Sequence, residues 1–127
     1  MSEDLCYMPA ADLAEAYRAG KLSPVEVTQA LLQRIAAINP KLNAYNLVDD
    51  ASALRDAQAS EARWKAGKPL SPIDGVPASI KDLILTRGWP TLRGSRTVDP
   101  HQPWDVDAPV TARLREAGAV LLGKTNT

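Results

Sequence analysis

The sequence has 127 residues, 45% of them hydrophobic and 24% charged, with 15 Lys plus Arg against 15 Asp plus Glu. A chain of this length forms one domain or part of a larger one, and the composition is that of a folded protein rather than a disordered one. The zero net charge leaves no basic surplus for holding phosphate backbones, which argues against nucleic-acid binding as the main role.

Cys6 is the only cysteine, so no internal disulfide can form, and a reducing, cytoplasmic setting is expected. One cysteine and one histidine cannot assemble a structural zinc site, and no metal or cofactor is expected. The start, Met1-Ser2-Glu3-Asp4, lacks the basic region and apolar core of a signal peptide. No apolar stretch approaches the ~20 residues that cross a bilayer. Phe is absent, so the core is expected to be aliphatic and alanine-rich. Seven of the ten prolines lie between Pro69 and Pro109, which splits the chain into a helical front, a proline-rich middle and a short final unit; by elements it reads as a helical front (10–66) and a strand–loop–helix–strand unit (76–122).

In chain order, Ala11 to Ala19 place Leu13, Ala14 and Tyr17 on one helical face, with Gly20 as the stop. Ser23-Pro24-Val25-Glu26 reads as a capping box with proline in the first turn. Val27, Leu31, Ile35 and Ile38 follow as one apolar stripe, and Asn39-Pro40 is expected to end that helix. Asn43 to Val48 suits a short strand. Asp49 or Asp50 can cap a helix over Ala51 to Ala66, whose small residues Ala53, Ala57 and Ser60 allow close packing. Pro69 to Gly75 is a loop by composition.

Val76 to Leu83 alternates, with Val76, Ala78 and Ile80 on one side and Ser79 and Lys81 on the other. Pro77 restricts it to a strand start or an edge. Thr86 to Asp105 shows no periodicity and is expected to be a binding or covering loop. Asp105 or Asp107 is expected to cap a helix over Ala108 to Ala117, with Val110, Leu114 and Ala117 inward. Ala119 to Leu122, bounded by Gly123, is apolar at every position, as for a strand buried on both faces. The two strands are expected to lie parallel and adjacent, joined by that helix, with Lys81 and Lys124-Thr125-Asn126 at one rim.

Gly118 to Thr125 matches the phosphate-loop pattern G-x-x-x-x-G-K-[ST] letter for letter. That pattern needs a strand before the first glycine and an open loop between the two. Here a helix precedes Gly118 and the middle residues form the most strand-like run of the chain, so nucleotide binding is rejected.

Lys81 is the unusual charge, set near the end of an apolar strand before Asp82. A lysine in apolar surroundings loses its proton more readily and can act as a general base. Alternatively it reaches past the strand end into water, or pairs with Asp82 or Asp74.

Pro72-Ile73-Asp74-Gly75-Val76-Pro77-Ala78-Ser79-Ile80-Lys81-Asp82-Leu83 closely resembles the lysine segment of the amidase signature family. Pro90-Thr91-Leu92-Arg93-Gly94-Ser95 is similar to that family's next loop. Asp107-Ala108-Pro109-Val110, Leu114 and Ala117 to Thr127 are similar to its following helix and strand. Ser23 to Val27 and Ile35 to Ala44 resemble its front. The resemblance spans nearly the whole chain in the right order.

It implies one α/β domain with a mixed central sheet flanked by helices, of which residues 1–127 are the N-terminal part. It also implies hydrolysis or transfer of amides by a nucleophilic serine, a second serine in a cis peptide, and a lysine, here Lys81, which deprotonates the bridging serine. In the family both serines lie in a Gly/Ser-rich run beyond the last residue of this sequence. Ser79 and Ser95 are poor substitutes, so the chain alone is expected to be inactive. Asp82, Thr91, Ser95 and Asn126 have no assigned role, and Asn126 suits either a ligand position or a turn. The resemblance implies a small-molecule amide as partner in the complete protein, general amidases and the A subunit of glutamyl-tRNA(Gln) amidotransferase being equally compatible. No nucleic acid or membrane is expected, and association through exposed apolar surface is. The competing reading is a non-catalytic binding or assembly module that docks on a complementary chain through an open sheet edge.

Overall fold

The longest helix begins where its sequence dictates. In the computed structural model, which describes residues 2–127, the Ser23 hydroxyl accepts from the Glu26 amide and the Glu26 carboxylate accepts from the Ser23 amide, with Pro24 in the first turn. The elements run α1 (Ser2–Cys6), α2 (Ala10–Arg18), α3 (Pro24–Leu42), β1 (Tyr45–Val48), α4 (Asp50–Lys65), β2 (Pro77–Lys81), α5 (Pro109–Glu116) and β3 (Val120–Thr125). No described helix is long and apolar enough to cross a membrane.

The three strands form one mixed sheet in the order β1-β3-β2. β3 runs parallel to β2 and antiparallel to β1, and is buried along nearly its whole length. Val120 and Leu122 pack with Leu32 of α3 and with Ala53 and Ala57 of α4, both fully buried. Alanines there let α4 approach the sheet closely. On the opposite face Leu121 meets Ile80 and the Trp89 ring, with Leu47, Ile84 and Leu114 at the margin. A third cluster joins Leu13 and Tyr17 of α2 to Val27 and Val76. The core is largely aliphatic, as the absence of Phe requires, with Tyr17 and Trp89 as its buried aromatic members.

A buried ion pair ties the front to the sheet. Asp74, fully buried in the loop before β2, receives both Nε (2.7 Å) and Nη2 (2.6 Å) of Arg63 from α4 and the Leu70 amide. Burial alone would raise the Asp74 carboxyl, but Arg63, Leu70 and neighbouring donors outweigh it and hold it below its ordinary range. Gly118 lies against this carboxylate at φ +85°, and a Cβ there would stand 2.4 Å from Asp74 Oδ1.

Several boundaries differ from expectation. α1 precedes the helices anticipated from the periodicity. α3 does not stop at Asn39-Pro40 but runs through Pro40 to Leu42, and Asn43 at φ 50° closes it. Pro40 falls in the last turn, so the bond it removes and the crowding of its ring disturb only the end of the helix. The Asn39 side chain turns instead to both backbone groups of Tyr45, fixing the start of β1. β2 is shorter than Val76–Leu83, and β3 runs past Gly123 to Thr125, because it stays paired with both β1 and β2 that far; Gly123 lies so close to Leu47 of β1 that only a residue without a side chain fits. Neither Asp105 nor Asp107 caps α5. Its N-cap is Ala108, without a side-chain bond, while Asp107 accepts from the Arg87 amide and from Arg115 Nε. The inward face of α5 is also rotated: Thr111 is fully buried, bonding the Leu85 carbonyl, whereas Val110 is exposed. Thr86 to Asp105 contains no helix or strand, only a bridge between Thr86 and Trp89.

Candidate functional site

β2 and β3 are parallel, so their C-terminal ends share one rim, where Lys81 pairs in register with Thr125. Ser79 and Lys81 alternate with buried Ile80, and both are exposed. The apolar enclosure expected around Lys81 is therefore absent among the described residues. Nor does Lys81 pair with either nearby carboxylate, because Asp74 is held by Arg63 and Asp82 by Lys124. The Lys81 amine is left without a polar partner among the described residues. Beside it, the Ser79 hydroxyl bonds the Tyr45 hydroxyl of β1 across the face of β3.

Directly beneath the rim lies a buried polar network. Asp82 is 1% exposed, and its carboxylate accepts from Asn46 Nδ2 (2.7 Å) and from the Leu92 amide. Its own backbone is bound on both sides, the N–H to Thr125 O (2.8 Å) and the C=O by the Arg93 amide (3.0 Å). Lys124, at 0% exposure, lies 3.3 Å from Asp82 Oδ1. Its ammonium donates to Thr91 Oγ1 (2.7 Å), Ile84 O (3.1 Å) and Pro90 O (3.3 Å). Desolvation pulls the Lys124 ammonium below its ordinary value, against the opposing pull of the Asp82 carboxylate.

The sequence points to a buried lysine at Lys81, and the structure has it at Lys124. The signal was available: Lys124 follows the apolar run Ala119 to Leu122, and a strand that continued through Gly123 would carry it inside. The rejected phosphate-loop match gains a geometric account, since its lysine is enclosed within the sheet and its glycine-flanked segment is strand. Thr91 belongs to the buried network, accepting from Lys124 and donating to the Ile84 carbonyl. Ser95 lies apart, bonded to Thr97. Asn126 is held to the start of β1, its amide bonding Ala44 O and its side chain Asn43 O, so it forms neither a local turn nor a contact with Lys81.

The Amidase family profile matches residues 26–127. The A subunit of the glutamyl-tRNA(Gln) amidotransferase of Salinispora arenicola (strain CNS-205) is 46% identical over 123 residues, covering 97% of this chain and 25% of that protein. The corresponding subunit of Myxococcus xanthus (strain DK1622) is 46% identical over 115 residues, covering 91% of this chain and 24% of that one. Among solved structures, the peptide amidase of Stenotrophomonas maltophilia superposes with a TM-score of 0.86 at 37% identity, covering 94% of this chain and 25% of that one. A bacterial aryl acylamidase of the amidase signature family does so with a TM-score of 0.85 at 29% identity, covering 95% and 25%. The chain thus spans about a quarter of the length of these relatives. With four-fifths of its residues inside the family profile and its sheet and helices superposing on solved members, this chain belongs to the amidase signature family.

Proposed function

We propose that this chain is the N-terminal part of one amidase-type domain that cleaves or transfers carbon–nitrogen amide bonds, and that Lys81 is its general base. The observation that supports this is the position of Lys81: an uncommitted amine on the open rim of two parallel strands, where ligands gather in open α/β sheets. In this reading the cover over Lys81, and the bridging and nucleophilic serines, come from protein outside these residues. The Lys81 amine takes the bridging serine's proton, and that serine takes the nucleophile's. The nucleophile's oxygen bonds the amide carbon, the C–N bond breaks, and the proton passes to the leaving nitrogen. Water then releases the acid by the same route. A small-molecule amide is the substrate class.

The test is a chimera in which this chain replaces the matching quarter of the Stenotrophomonas maltophilia peptide amidase, with ammonia release followed on a panel of primary amides. Lys81→Ala is expected to lower kcat by roughly 10²–10⁴-fold, the usual contribution of a positioned acid or base. A folded Lys81→Ala chimera that keeps most of its kcat overturns the assignment.

A further inference from the structure

Lys124 is the one lysine of the chain withdrawn from solvent, the other five being exposed. Stability alone does not account for it, because an apolar side chain in the same slot would avoid the desolvation of an ammonium. What its charge does is collect acceptors. An ammonium has three donors, and the four acceptor atoms around Nζ all belong to Asp82, Ile84, Pro90 and Thr91. These residues make up the segment that leaves β2 immediately after Lys81 and folds back beneath the rim. Asp82, bonded to Lys81 through the chain, is gripped by Lys124 and Asn46 at its carboxylate and by Thr125 and Arg93 at its backbone. The rim residue Lys81 therefore has one covalent neighbour fixed from every side, and β3 supplies the fixing group from directly below.

We propose that Lys124 is a positioning residue: through Asp82 and Thr91 it locks the turn after β2 and so sets where the Lys81 amine stands. This rests on the reading of Lys81 as base, and two kinds of measurement separate the two claims. The first is amide hydrogen exchange by NMR on the 127-residue chain carrying Ile38→Lys, a charge placed in the exposed apolar groove to keep it monomeric. Lys124→Met alone leaves Asp82 buried without its counter-charge and is apt to unfold the chain. The informative variants are therefore the double variant Asp82→Asn, Lys124→Met, which removes both charges, and Thr91→Val, which removes one acceptor. Both are expected to speed exchange at Leu92 and Arg93 by about tenfold or more, the loss of one hydrogen bond to a charged group, while Leu32 and Ala57 keep their protection. Thr91→Ser, which keeps the hydroxyl, should behave as wild type. Unchanged exchange at Leu92 and Arg93, or an equal rise at all four positions, overturns the proposal.

The second measurement is kinetics in the chimera, per folded enzyme. Thr91→Val is expected to lower kcat at least tenfold with KM little changed, with Thr91→Ser restoring it, whereas a purely structural residue would change only the folded fraction. Unchanged kcat in Thr91→Val, in a chimera that Lys81→Ala does silence, overturns the inference and leaves the Lys81 reading standing. A chimera indifferent to Lys81→Ala overturns that reading and the catalytic half of this inference, leaving the exchange data to judge the lock.

Discussion

Two lysines at one sheet rim have opposite environments, and the difference follows from strand position. Lys81 is the last residue of an outer strand and points to solvent, while Lys124 sits in the central strand with neighbours on both sides. Replacing Lys81 with Ala should leave the melting temperature of the isolated chain within a few degrees, since exposed substitutions shift stability by about 0.5 kcal/mol or less. Lys81→Arg should not restore activity in the chimera, because a guanidinium stays protonated and cannot serve as a base. The isolated chain should release no ammonia from acetamide or benzamide above background. Ser79 is engaged with Tyr45, Ser95 with Thr97, and neither hydroxyl is bonded to Lys81. Turnover abolished by Lys81→Ala would show that one of them serves after all. The segment around Lys81 was readable from its sequence, but its exposure was not, because alternation tells which residues share a face and not whether that face is covered.

At the scale of elements, the ion pair Arg63–Asp74 is the joint between α4 and the strand pair. Removing Arg63 strands a fully buried carboxylate, so Arg63→Ala is expected to cost roughly 3–5 kcal/mol at neutral pH. Asp74 has its pKa depressed on folding, so its contribution is present above its ordinary value of 3.8 and is lost as pH falls through the lower folded value. The gap between wild type and Arg63→Ala should therefore close in acid, and urea titrations at pH 7 and at successively lower pH check it. A second joint is Gly123, where a Cβ would lie 2.0 Å from Leu47 O. Gly123→Ala should cost about 3 kcal/mol or more by forcing β1 off β3. Helix starts set by local chemistry, such as Ser23 to Glu26, were legible in sequence. Features set by tertiary partners were not: Asp107 has the sequence of a cap but is drawn to Arg87 and Arg115, and α5 buries Thr111, whose hydroxyl joins the Ala108 amide on the Leu85 carbonyl.

At the scale of the whole molecule, the parallel pairing of β2 and β3 through α5 was inferable from the long connection and from the apolar run of β3. The place of β1 was not, because a four-residue strand carries too little pattern to name its neighbour. Its arrival on the far side of β3 makes the sheet mixed and gives it two outer strands, each with an unpaired edge among the described residues. Apolar side chains also remain in solvent, among them Leu42 and Leu83. Between α3, β1 and β3 runs an open groove lined by Leu31, Ile35, Ile38, Leu42 and Leu122. Open edges and contiguous apolar surface are what a second chain covers. We therefore expect the isolated chain to self-associate, its sedimentation coefficient rising with concentration. Ile38→Lys, which puts a charge into the groove without touching the fully buried core, should return it toward monomer. A chain that stays monomeric across a wide concentration range and melts in one sharp transition would show that these surfaces are stable in water, and would count against both self-association and docking on a complementary chain.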